Sequence, residues 1–212
     1  MEVELFNACQ DGNYEEVIKL LQNEQINTNW RNNSEHFDGK TPLYIACEKR
    51  HIEVVKLLLN DERVDINEPK DGGKTPFYIA CKNGHIEIVK LLLNDERVDY
   101  NKANIHGRTP FYGACFYEHI EVVKLLLNDE RININKANGN NATPFLVSCS
   151  WGKTEVVKCL LESGREIDIY KKDIDGKTGC DWAKEEGNKD VVELIEAFQR
   201  NPSETREKLR KL

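Results

Sequence analysis

A chain of 212 residues with 37 acidic and 30 basic side chains, a formal net charge of −7, is a poor match for a phosphate backbone, which calls for a concentrated Lys/Arg surface. Its residues, 39% hydrophobic and 32% charged, include no apolar run near the roughly 18 residues that a membrane helix needs. The acidic start Met1-Glu2-Val3-Glu4 has neither the basic nor the apolar region of a secretory leader, so the expectation is a soluble cytoplasmic protein with no nucleic-acid or membrane partner.

Residues 75–101, TPFYIACKNGHIEIVKLLLNDERVDYN, stand between close copies of themselves. Thr-Pro recurs at Thr41, Thr75, Thr109 and Thr143, with Thr178-Gly179 as a worn copy, in steps of 34, 34, 34 and 35 residues. The chain is therefore a tandem array whose units bury their apolar faces against their neighbours.

In chain order, residues 1–37 read as an N-terminal cap. Leu5-Phe6-Asn7-Ala8-Cys9 matches Leu43-Tyr44-Ile45-Ala46-Cys47, but Glu16 and Lys19 stand where Val54 and Leu57 stand later, as on a face turned to water. The connection over residues 30–40 is longer than its counterparts and holds Trp30, His36 and Phe37; its aromatics either fold back on the cap or meet a partner. Repeats follow from near residues 38, 72, 106 and 140. Each opens with a capping Thr and a Pro at the first helical position, where the missing N–H has no intrahelical partner.

After the first helix, Gly84 fits a chain reversal at positive φ, and Arg50 and Glu118 hold that place at a cost of about 1 kcal/mol each. The second helix, as in Ile86-Glu87-Ile88-Val89-Lys90-Leu91-Leu92-Leu93, is apolar nearly all round and so is sandwiched between neighbours. The unit from Thr143 drifts, with Asn141, Lys153 and Ser148 replacing the turn glycine, the histidine and the small alanine. Residues 175–200 read as a polar C-terminal cap, which makes the array look complete. Asn201-Pro202-Ser203-Glu204 starts a short helix over residues 201–212, which Leu209 and Leu212 could dock on the last repeat; the alternative is a separate basic binding motif.

Cys9, Cys47, Cys81, Cys115 and Cys149 share one repeat position and Cys159 and Cys180 fall on apolar positions. Equivalent positions in stacked units lie roughly 8–10 Å apart, too far for a disulfide, so small buried thiols are expected ahead of a redox or metal role. His51, His85 and His119 also recur at the unit period, which suits hydrogen bonds between repeats and not convergence on one metal.

Thr-Pro-Leu/Phe-Tyr-Ile-Ala-Cys, then Gly84-His85-Ile86-Glu87-Ile88-Val89-Lys90, then Val98-Asp99-Tyr100-Asn101 resembles the ankyrin repeat, over about six units including both caps. The resemblance implies an all-α ankyrin-repeat solenoid of helix-turn-helix units joined by β-hairpin loops. It departs at Tyr44, Tyr78 and Tyr112, which stand where the family has His, and at the long turn Asn94-Asp95-Glu96-Arg97.

The resemblance further implies a non-catalytic scaffold or adaptor without metal or cofactor, binding an unknown protein partner through a concave groove. The exposed pairs carried over are Glu48-Lys49, Lys82-Asn83, Phe116-Tyr117 and Ser150-Trp151. Phe116, Tyr117 and Trp151, with Tyr112, Ile105 and His106 nearby, are unusually aromatic and apolar for such positions. They either anchor a partner or plug a gap left by the drifted fourth unit. A monomer is expected, with a self-associating homodimer as the alternative. Asn67, Asn101 and Asn135 match asparagines that are hydroxylated in other members of the family.

Overall fold

Each Thr that opens a repeat accepts the backbone N–H of the third residue on. Tyr44, Tyr78, Tyr112 and Leu146 donate to Thr41, Thr75, Thr109 and Thr143 at 3.0–3.1 Å, with the following Pro at the first helical position. The cap bond thus runs to backbone and does not depend on the side chain three residues on, which is how Tyr and Leu stand where the family has His. Thr178 adds the reciprocal bond, with the Asp181 carboxylate accepting the Thr178 N–H. Each such cap stabilises its helix by about 1 kcal/mol.

The structure, a computed structural model, describes residues 1–211, and these contain thirteen helices and no sheet. They pair as α1 (Glu2–Asp11) with α2 (Tyr14–Leu21), α3 (Pro42–Lys49) with α4 (Ile52–Leu59), and α5 (Pro76–Lys82) with α6 (Ile86–Leu93). Next come α7 (Pro110–Phe116) with α8 (Ile120–Leu127), α9 (Pro144–Ser150) with α10 (Thr154–Glu162), and α11 (Gly179–Glu185) with α12 (Lys189–Arg200), followed by α13 (Pro202–Leu209). The chain divides into two units, Met1–Ile105 holding α1 to α6 and His106–Leu212 holding α7 to α13.

Gly84, Arg50 and Glu118 all take the left-handed conformation, with φ of 70°, 64° and 60°. The expected β-hairpins are reduced to turns: Lys70 to Lys74, Asn138 to Ala142 and Asp173 to Lys177 each make one cross-turn backbone bond. The one bridge among the described residues, Asn32 to Lys40, lies in the long first connection. Adjacent tips are tied by single backbone bonds, Asp71 N–H to the Asp38 carbonyl in the first unit and Gly139 N–H to the His106 carbonyl in the second.

The aromatics of the first connection fold back. Phe37 and Trp30 meet the buried Phe6 edge to face, with centroids 4.9 and 6.1 Å away. All seven cysteines are free and buried. The worn Thr178-Gly179 also has a packing reason: a Cβ at Gly179 would sit 3.1 Å from the Cys149 sulfur, tighter than ordinary contact. At the far end α13 docks through buried Thr205 and Leu209, while Leu212 lies outside the described residues.

Candidate interaction surface

In the second unit α7 places Tyr112 and Phe116 four residues apart on one helical face, where their rings lie nearly parallel, 11° apart with centroids at 6.4 Å. Phe116 also meets Tyr117, the residue that ends α7, at 5.0 Å and Trp151, the residue that ends α9, at 5.4 Å, both edge to face. The Arg108 guanidinium lies 5.7 Å from the Tyr112 ring centre and 5.8 Å from that of Phe116. Asn138 donates to the Tyr112 hydroxyl at 3.2 Å. Burial pushes the Tyr112 phenol up, while Arg108 and Asn138 pull it back.

Exposure separates these rings into two roles. Tyr112 is only 3% exposed and offers no surface, which corrects its place among the partner-contacting residues: it supports Phe116, itself half-buried. Tyr117 and Trp151 are 47% and 63% exposed, whereas rings filling a gap in the fourth repeat would be covered. The buried Ser148 donates its hydroxyl to the Pro144 carbonyl at 2.7 Å inside α9. The Glu118–Lys153 pair at 3.0 Å joins the residues that follow Tyr117 and Gly152.

The remaining sequence-selected positions are less distinctive. In the first unit Glu48 is engaged by Lys40 at 2.7 Å, Lys49 is exposed, Lys82 and Asn83 are half-buried, and Ile105 projects from its tip. In the second, His106 is exposed at its tip. Sequence reading missed Arg108, although a basic residue precedes the opening Thr at Lys40, Lys74, Arg108 and Lys177. It also missed the exposed Tyr170 and Ile174, the latter aligned with Ile105 in its repeat.

Asn67, Asn135, His51 and His85 fasten repeats to their neighbours. Asn67 donates to the Arg97 carbonyl and accepts the Asp99 N–H, both at 2.7 Å, and Asn135 does the same with Glu166 and Asp168 at 2.6 and 3.2 Å. The Asn101 N–H donates to the Asp99 carboxylate at 3.1 Å. The His51 and His85 rings engage the carbonyls of Gln10 and Glu48 at 2.9 and 3.1 Å, and Asn188 fills the same place by donating to the Ser150 carbonyl at 2.9 Å. No group of three or more metal-ligating side chains gathers among the described residues.

Helical hairpins fastened by side chains that bond a neighbour's backbone, with turn tips in register, define a helical-repeat scaffold. A profile of ankyrin repeats in three copies matches residues 5–104, 62–138 and 114–202, and the chain belongs to the ankyrin repeat family. It is similar to the crystal structure of EF0377, an ankyrin repeat protein, with a TM-score of 0.82 and 28% identity over 92% of this chain and 97% of that one. No curated protein matches. Ankyrin repeats are generally protein–protein interaction modules and typically non-catalytic. No helix among the described residues is long and apolar enough to cross a membrane.

Proposed function

We propose that this chain is a protein-binding scaffold or adaptor and that Tyr117 and Trp151 are its principal anchors, set on a base of Phe116, Tyr112 and Arg108. The observation that carries this reading is the exposure of Trp151, 63%, beside a half-buried Phe116 that fixes its position. Large rings held in place bring apolar area to an interface at low entropy cost, and such residues dominate binding energy. Seven free, buried thiols fit a reducing compartment, which supports work in the cytoplasm, as a monomer.

The test is a paired capture from a cell extract with the wild-type chain and a Tyr117→Ala/Trp151→Ala variant of unchanged circular dichroism and melting temperature. A partner held by the wild type should be lost, or weakened at least about tenfold, by the variant. Equal capture by both proteins overturns the assignment of these rings.

A further inference from the structure

The carbonyl of the last leucine in the second helix of a repeat, here termed its outer helix, recurs as an arginine acceptor. In the first unit Arg63 donates to the Leu21 carbonyl at 2.9 Å and Arg97 to that of Leu59 at 2.6 Å; in the second, Arg165 donates to that of Leu127 at 3.1 Å. In each of these three cases the arginine comes from the turn after the next outer helix, so the later repeat closes the end of the one before it. An unclosed helix end leaves carbonyls without partners, and a guanidinium there gains from the helix dipole as well as from the bond.

Leu161 is the equivalent leucine of α10, and the next outer helix, α12, is not followed by such a turn. It runs for 12 residues to Arg200 and then reverses at Asn201, which ends α12 and caps α13 by accepting the Glu204 N–H at 3.1 Å. From α13, Arg206 donates through Nε to the Leu161 carbonyl at 3.2 Å, and Arg210 reaches the Glu162 carbonyl at 3.4 Å. The Arg206 guanidinium also lies 5.1 Å from the ring centre of the buried Phe198 on α12. One side chain thus bonds α10 and covers α12.

The geometry points to α13 as a strap that takes the place of the missing repeat arginine. Docked, it closes the end of α10 and the seam between α10 and α12; lifted about Asn201, it uncovers the Leu161 carbonyl and Phe198 together. This makes the C-terminal seam the part of the second unit that opens as a piece, separately from the aromatic surface on α7 and α9.

Amide hydrogen exchange on the full chain tests the strap. Arg206→Met keeps the apolar stem over Phe198 and removes the donors, and exchange in peptides from α10 and α12 should quicken by about tenfold, with those from residues 1–105 unchanged. Lys208→Ala is the control, since the Lys208 side chain is exposed and pairs with Glu204 of its own helix, and should match the wild type. If Arg206→Met protects α10 and α12 as the wild type does, or quickens exchange evenly along the whole chain, the strap is overturned. Arg206→Ala, which also strips the stem from Phe198, should quicken the same peptides further; a smaller effect than Arg206→Met would overturn it as well.

Discussion

Replacing Arg50 by glycine should stabilise the protein, although it deletes a charged side chain from a helix end. Arg50 ends α3 at φ 64°, where a Cβ crowds the following carbonyl at a cost of about 1–2 kcal/mol, and the equivalent residue one repeat on is Gly84 at φ 70°. Against this relief stand about 0.4–1 kcal/mol of extra chain entropy that glycine brings to the unfolded state and about 0.3 kcal/mol for a cation lost from the helix C-terminus. Arg50 is exposed and takes part in no ion pair among the described residues, so nothing further is forfeited. The net gain is about 0.5 kcal/mol.

Alanine at position 50 keeps the strain and loses the charge, so Arg50→Gly should exceed Arg50→Ala by about 1 kcal/mol. One residue earlier, inside α3, the order should invert, with Lys49→Ala more stable than Lys49→Gly by about 0.5–1 kcal/mol. Urea unfolding followed by circular dichroism measures all four, and for a chain of this size 1 kcal/mol corresponds to about 2–4 °C in melting temperature. If alanine equals or exceeds glycine at position 50, the left-handed strain is not what governs this turn.

Gly12→Ala should cost more than about 2 kcal/mol in urea unfolding, because φ there is 72° and the new methyl would run into the His51 ring that engages the Gln10 carbonyl. Hydrogen bonds from Arg63, Arg97 and Arg131 hold Asp61, Asp95 and Asp129 below the usual carboxylate range. The unfolded chain therefore binds more protons, so their stabilisation is full above about pH 4 and is lost as pH falls through the folded values; Asp95→Asn should flatten that acid decline in a pH series of unfolding curves. Burial pushes the Cys9 thiol up to about 12 and raises Cys47, Cys115 and Cys149 as well, so a colourimetric thiol reagent at pH 8 should react slowly with the native chain but rapidly with all seven thiols once urea has unfolded it.

The repeat was legible because its determinants are local. A Thr bonds a backbone N–H three residues away, and a left-handed turn needs only its own residue, so Thr41 and Gly84 announce themselves in sequence. The fold-back of Phe37 and Trp30 was open in sequence because it depends on Phe6, far off along the chain but adjacent in space. The aromatic break at Phe116, Tyr117 and Trp151 was visible as a departure from the period. Its division into covered Tyr112 and exposed Trp151 was not, since that depends on how rings on α7 and α9 lean on one another. Arg206 gave no signal at all: its partner is a backbone carbonyl 45 residues away.

One position shows how an array this regular can carry a private surface. The residue after the repeat cysteine is Gln10, Glu48, Lys82, Phe116 or Ser150. At Gln10, Glu48 and Ser150 the neighbouring repeat engages the backbone carbonyl, through His51, His85 or Asn188. Holding the stack therefore places no demand on the side chain there, and a carboxylate and a hydroxyl serve alike. A phenylalanine at the same position changes what the surface presents without using a polar fastening, and its ring instead leans on Trp151 of the next repeat. It follows that substitutions at Tyr117 and Trp151, which lie one residue further on and outside that bond, should move binding and leave the melting temperature nearly where it was.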